Sequence, residues 1–390
     1  MSNCVKIKNE QCSGCGLCMT VCSKEAIAFK KLEDGFLYPV IDDEKCVKCG
    51  VCEKICPFYS EAVDDLGAKN IMESYAFKDI VNIRMESSSG GFFTVLSDYI
   101  LENGGIVYGA VFASDWKVVH TRAETVDSRN LMRGSKYVQS DLSNIYKSIR
   151  DDVKSGREVL FSGTPCQCAA IVKLFGAKKP DNLWIMDLIC HGVMSQDFFD
   201  QYIKNIEETA NSKIKTFTFR DKKFGWQTVG MKLQDGTSFR SKKDYFYPTF
   251  SMKSIQRSSC FACNFATDKR LGDFTVGDYW GIKEHHPEFF DEFGVSLVLI
   301  NTEKGIELAR KIFSGKDIIK LDKSEYISYN PNLQRPTRMG ERACKFRKYY
   351  YRNGYKKTMH RFFDVTLQRR INSLISNILK KAKGLINGQK

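Results

Sequence analysis

Between residues 73 and 208 the apolar positions of this chain follow two alternating periods. ESYAFKD, IVYGAVF, VVHTRAE, REVLFS and LWIMDLI are short apolar runs that read as strands. GGFFTVLSDYILENG, a stretch near 141–155, the segment after Pro165 and SQDFFDQYIKNIEE carry apolar residues at helical spacing. Gly104 and Gly105 end the first of these helices. Such alternation predicts α/β units. Upstream, FKKLEDGFLYPVI is hairpin-like, and EAVDDLGAKN (61–70) is polar enough for a linker. Downstream, the core of LGDFTVGDYWG (Leu271–Gly281) is strand-like and KEHHPE is loop-like. Near the end, Leu367, Ile371, Leu374, Ile375, Ile378, Leu379, Ala382 and Ile386 fall on one helical face.

Charge divides the chain the same way. Residues 341–390 hold 14 Lys or Arg against Glu341 and Asp364, whereas residues 1–66 hold 8 Lys against 11 Asp or Glu. The overall net charge is +14 over 390 residues. Three modules are expected, at 1–66, 70–335 and 336–390. The opening MSNCVKIKNEQCSGCG has no apolar run of signal-peptide length, and no stretch of roughly 18 apolar residues suggests a membrane span. In a reducing cytoplasm, the expected compartment, 15 cysteines point to metal binding or catalysis rather than disulfides.

The cysteines are patterned. Cys12, Cys15, Cys18 and Cys22 have the spacing C-x2-C-x2-C-x3-C, and Cys46, Cys49, Cys52 and Cys56 repeat it, followed by Pro57. Three thiolates two residues apart wrap one iron–sulfur cubane, and the fourth reaches across to the other. By that rule Cys12, Cys15, Cys18 and Cys56 hold one [4Fe–4S] cluster, and Cys46, Cys49, Cys52 and Cys22 hold the second. Gly14, Gly16 and Gly50 allow the tight backbone such loops need. Paired zinc sites would have no use for the crossing. Residues 3–65 resemble the bacterial two-cluster ferredoxins, departing from them at Ser23, where a proline is absent, and in the long stretch from Cys22 to Cys46. Cys4 lies outside the pattern.

In FSGTPCQCAA, Cys166 sits where a strand becomes a helix, a place where α/β sheets bind ligands. Cys190 follows the next strand and precedes His191, a candidate proton donor. If the two strands are neighbours in a parallel sheet, both cysteines emerge at one edge. With Cys260 and Cys263 they make four thiols, open to a third cubane, a four-thiolate zinc site or unlinked burial. SSSGG (Ser87–Gly91) precedes a helix and suits a phosphate, although serines also cap helices. RGSKYVQSD (Arg133–Asp141) offers a cation, hydroxyls and an aromatic face to a nucleotide, or is a turn entering a strand.

SSSGG, GSKYVQS, SGTPCQ, CHG, C-x2-C and GDYWG occur in this order, and over residues 70–335 the chain resembles the beta subunit family of coenzyme F420-reducing hydrogenase and dehydrogenase. The resemblance implies a mixed α/β flavin-binding domain with FAD beside a [4Fe–4S] cluster. Ser89, Gly90 and Gly91 would approach the FAD phosphates. Gly134, Ser135, Lys136, Tyr137 and Gln139 would line the flavin site, and Thr164, Pro165 and Gln167 would sit near the isoalloxazine. Cys166, Cys190, Cys260 and Cys263 would hold the inner cluster, with His191 the catalytic candidate. It also implies electron flow from a soluble ferredoxin or other redox protein, through the clusters and FAD, to a two-electron organic acceptor, or the reverse. Coenzyme F420 is one such acceptor in the family, and some bacterial relatives lie beside polysaccharide genes. The alternatives are an electron-transfer subunit docking on another enzyme, and a zinc-bound nucleic-acid-binding protein, which the redox motifs disfavour.

The fold class expected is therefore multidomain α+β and α/β: a small ferredoxin-like module, the flavin-binding domain and a helical basic tail. The tail's Arg369, Arg370, Lys380, Lys381 and Lys383 flank its apolar face. It suits packing against protein or peripheral contact with an anionic membrane surface.

Overall fold

The computed structural model describes residues 10–59, 63–176, 179–225, 228–239 and 244–364. Two cysteine loops open it. Each enters one turn of helix, Leu17–Thr20 or Val51–Lys54, through a left-handed glycine, Gly16 (φ 82°) or Gly50 (φ 73°). A side chain there would be strained. Between them β1 (Ile27–Lys31) and β2 (Leu37–Ile41) pair antiparallel, which is the hairpin the sequence predicts. Its strand β1 is tied to the central domain by Lys31, whose ammonium lies 2.6 Å from Asp197.

Strands β3 (Glu73–Lys78), β4 (Ile106–Phe112), β5 (Val118–Ala123), β6 (Val159–Gly163) and β7 (Leu183–Leu188) occupy the five predicted runs. The helices Phe92–Glu102, Tyr146–Lys154, Pro165–Phe175 and Gln196–Ala210 occupy the four predicted helical segments. A small antiparallel sheet of β8 (Ile214–Thr218), β9 (Gly230–Leu233) and β10 (Ser238–Phe239) follows. Strands β11 (Phe274–Asp278), β12 (Ser296–Ile300) and β13 (Asp317–Lys320) complete the main sheet, in the order β13-β3-β12-β11-β7-β6-β4-β5.

Its middle, β4, β6, β7 and β11, is parallel, and both flanks pair antiparallel. The architecture is thus mixed α/β with a large mixed sheet. The alternating directions bring the carboxyl ends of β6, β7 and β11, the loop after β3, and the starts of β5 and β12 to one edge. Ligands bind open α/β sheets at that edge.

Apolar cores cover both faces of the sheet. Leu17, from the first cysteine loop, is buried with Ile106, Tyr108 and Phe161. At the other end, Phe346 and Tyr350 of the helix Glu341–Met359 join a cluster with Phe198, Phe199 and Phe219. The first cysteine loop and the helix Glu341–Met359 therefore both pack on the central domain.

KEHHPE is not the loop expected. Gly281 (φ 100°) starts a short helix, Ile282–His285, whose first residue is buried, and His286 Nε2 lies 2.7 Å from Glu325. In the linker stretch, Val63–Leu66 form a 3-10 turn with Leu66 buried. The apolar face from Leu367 to Ile386, with its flanking cations, lies outside the described residues. Among the described residues no helix is long and apolar enough to cross a membrane.

Candidate functional site

The first group of thiols is half-buried, and its members lie in one another's fields. Burial, with smaller contributions from the nearby Cys12 and Cys166, raises the Cys15 thiol to about 11. Burial also raises Cys18, with contributions from Cys15, Cys12 and Cys56. Cys56 is pushed up to about 12 by burial, then by Cys15 and Cys12. Cys12, Cys15, Cys18 and Cys56 lie within electrostatic reach of one another, with the Gly14 amide donating to Cys12 Sγ at 3.4 Å. The second group is nearer the surface. Cys49 is exposed, while Cys52 is raised by burial and feels Cys49 among its neighbours. The Ala26 amide donates to Cys22 Sγ at 3.4 Å.

Cys166 and Cys190 emerge at one sheet edge, as the parallel-sheet argument expects, and Cys260 and Cys263 lie within electrostatic reach of them. Strands β6 and β7 are parallel neighbours with Gly163 opposite Asp187, and each cysteine lies three residues further on. Thr164 and Gln167 form a reciprocal cap with Pro165 at the helix start, which aims Cys166 out of the turn. Gly192, left-handed at φ 98°, donates its amide to Cys190 Sγ at 3.4 Å. Cys260 and Cys263 flank the end of a 3-10 turn, Ser258–Ala262. Burial lifts Cys166 to about 11, helped by Cys190, and lifts Cys190 to about 12, helped by Cys260. It lifts Cys260 to about 12, helped by Cys263, and Cys263 to about 12, helped by Cys166 and Cys190.

The thiolate forms of these four half-buried cysteines disfavour one another, and a cationic iron–sulfur core would offset that. Among the described residues no group of three or more His, Cys, Asp or Glu side chains is arranged to hold a metal ion. Cys168 faces the carbonyls of Gly163 and Met186 in the core, and Cys344 lies on the C-terminal helix.

Beside the inner thiols opens a cavity of about 260 Å³, walled by Cys166, Cys190, His191 and Gly192 on one side and by Ser87–Ser89 and Arg133–Ser140 on the other. Of the eleven residues assigned to FAD, Ser89, Gly91, Gly134, Ser135, Lys136, Tyr137, Gln139, Thr164 and Gln167 line it. Gly90 and Pro165 do not. Gly90 is needed elsewhere, since a Cβ there would lie 2.1 Å from the Phe77 carbonyl on β3 and 2.6 Å from the Ser296 amide on β12. Pro165 is buried at the first position of its helix.

The serines are not helix caps. Gly91 (φ 97°) opens the helix Phe92–Glu102, with no side-chain cap. Ser87 donates to the Ile83 carbonyl, Ser88 accepts from Ser135, and Ser89 donates to the Val295 carbonyl. RGSKYVQSD enters no strand; Val138 makes only a bridge to Met194.

Several lining residues have electrostatic work left to do. His120, 4 % exposed, places Nε2 2.9 Å from the Ser162 carbonyl, so Nε2 carries the proton and Nδ1 is a buried acceptor without a partner. Arg133 uses Nη2 on the Ile83 carbonyl and leaves Nε buried and unpartnered. Burial holds Lys136 down to about 7, with its ammonium on the carbonyls of Leu131 and Arg133. An anionic ligand offering acceptors and an N–H group would meet these needs. Arg220 pairs with Asp278 at 2.8 Å and donates to Tyr137 Oη and the Ser88 carbonyl, fixing that wall.

His191 stacks on Trp280 at 4.8 Å and gives Nδ1 to Asn332 Oδ1 at 2.7 Å. Burial lowers its pKa to about 4. His120, Arg133, Arg220 and Asp278 carry no sequence signal by spacing. Arg133, within RGSKYVQSD, and Asp278, within GDYWG, stood in motifs.

Residues 11–60 match the model of a 4Fe-4S dicluster domain. Residues 156–325 match the model described as the C terminus of the coenzyme F420 hydrogenase/dehydrogenase beta subunit. A comparison with curated proteins gave no match. Among solved structures, one chain of the F420-reducing [NiFe] hydrogenase complex from Methanosarcina barkeri is 17% identical, covering 70% of this chain and 97% of its own, with a TM-score of 0.45. The class these modules define is an iron–sulfur oxidoreductase acting in electron transfer. Within it, the chain joins a segment matching a 4Fe-4S dicluster domain to one matching the C terminus of the coenzyme F420 hydrogenase/dehydrogenase beta subunit. The family match starts at residue 156, so the loops 87–91 and 133–141 lie ahead of it.

Proposed function

We propose that the chain is an iron–sulfur flavoprotein that passes electrons between its ferredoxin-type clusters and a two-electron organic partner. The observation that carries this reading is the shared wall: Cys166 and Cys190, two of the four inner thiols, also line the cavity. Cys12, Cys15, Cys18 and Cys56 would hold one [4Fe–4S] cluster, and Cys22, Cys46, Cys49 and Cys52 the outer one. Cys166, Cys190, Cys260 and Cys263 would hold a third. The Cys15–Cys166 electrostatic contact supports a continuous path between the first and third groups.

FAD, when bound, supplies the exchange between single electrons and electron pairs. The chain's own part is to bind and orient it. Lys136 and Arg133 would neutralise its phosphates, the left-handed Gly91 and Gly134 would let backbone amides approach, and Thr164 with Gln167 would fix the turn that carries Cys166. A cavity in the wall of the thiol group favours this reading over a subunit that only relays electrons. The electron partner would be a ferredoxin or similar redox protein, docking near the exposed Cys49. The acceptor class is a planar or otherwise compact organic molecule reaching the cavity, with coenzyme F420 one candidate.

The test is a titration of flavin-free protein with FAD, read by quenching of flavin fluorescence. Saturable binding of one FAD, weakened about tenfold in Arg133→Met, is expected, since a charge-assisted contact contributes roughly 1.5–3 kcal/mol. Absence of saturable binding would return the chain to an electron relay.

A further inference from the structure

We infer that Arg257 is the counter-ion shared by the first ferredoxin-type cluster and the inner cluster, raising the reduction potential of both. This rests on the cluster assignments proposed above. Arg257 is 1 % exposed, and every group that touches its guanidinium is neutral. Nε donates to the Cys12 carbonyl at 2.6 Å, Nη1 to Gln139 Oε1 at 2.9 Å and Nη2 to the Leu37 carbonyl at 2.8 Å. The ring of Tyr38 lies 4.2 Å from the guanidinium carbon and that of Phe36 5.1 Å. Among the described residues no carboxylate pairs with it.

A buried guanidinium without a counter-charge is costly even when its donors are satisfied. The two proposed clusters would supply the missing negative charge from two sides. The side chain holds the backbone of Cys12. The backbone of the same residue accepts the Cys260 amide at 2.9 Å and donates to the Val193 carbonyl at 3.1 Å. A cubane held by four thiolates carries net negative charge and gains more on reduction. A fixed cation beside it therefore favours the reduced state, since cluster potential follows local charge and hydrogen bonding. The planar fork also spans three carbonyl-type acceptors from three separate segments, which an ammonium cannot do in the same geometry. Neither its side chain nor its backbone bonds to a cysteine of the outer group, Cys22, Cys46, Cys49 and Cys52.

The test is a potentiometric titration of the full-length protein, purified without oxygen and followed by electron paramagnetic resonance. It compares wild type, Arg257→Gln, Arg257→Lys and Gln139→Glu. Arg257→Gln removes the charge and is expected to make two of the three clusters about tenfold harder to reduce, ~59 mV for one electron, while the third stays fixed. Arg257→Lys keeps the charge and is expected to restore most of the shift. Gln139→Glu places a carboxylate on Nη1 and is expected to lower the same two potentials, which keeps the test open should Arg257→Gln lose iron. Three potentials moving together, or none moving with iron retained, would overturn the inference. A wild type lacking the third cluster would instead fail the assignment on which it rests, and iron analysis separates the two.

Discussion

At Lys136, burial holds the ammonium down to about 7, from 10.5 for an ordinary lysine. The charged form therefore dominates below about 7 and is lost as pH rises through it. If this ammonium meets a phosphate of FAD, affinity is fully present below that point and falls above it, by up to about tenfold per pH unit while one proton is taken up on binding. Lys136→Met is expected to flatten this profile and weaken binding at pH 6 by about tenfold, for one lost charge-assisted contact. Binding isotherms from pH 6 to 9 check both; a wild-type profile that is flat across that range contradicts the role. Residues of this kind were legible only in part. Lys136 stood inside a motif, as did the cysteines, whose spacing is their signal. His120 and Arg257 sit alone in sequence. They acquire meaning only from an orphaned Nδ1 and an uncompensated buried charge, both properties of three-dimensional surroundings.

Among elements, the loop Ser87–Gly91 shows how strand pairing builds the site. It lies at the carboxyl end of β3, and Gly90 lets its backbone press between β3 and β12. Gly90→Ala would force Cβ into the Phe77 carbonyl, and the backbone has little freedom to retreat. A loss of about 3 kcal/mol is expected, at the upper end for overpacking, with weaker FAD binding as the wall shifts. Chemical denaturation measures the first, and an unchanged midpoint would show that the loop is loosely held. The strands β3 to β7 were readable because each is a bounded apolar run. SLVLI, now β12, has the same signature and is fully buried, yet stood outside the alternating pattern that organised the reading. The short β8 to β10 lie on a separate small sheet whose alternation is weak. KEHHPE looked polar and loop-like, but the buried Ile282 beside a left-handed Gly281 makes it a helical turn.

Across the whole molecule the thiols run from surface to cavity: exposed Cys49, then the buried group of Cys15, then the inner group of Cys166, then the pocket wall. The first cysteine loop is held against the central domain by Arg257, Gln139 and Tyr146, which donate to the backbone carbonyls of Cys12, Ser13 and Cys15. Rigid spacing of this kind suits one-electron transfer, because no bond forms or breaks and only distance and potential matter. The most direct test is iron, acid-labile sulfide and flavin per chain on protein purified without oxygen. The account predicts about twelve irons with matching sulfide, for three cubanes, and one FAD. About eight irons and no flavin would contradict it, leaving a two-cluster relay and removing both the inner cluster and the cavity's proposed ligand.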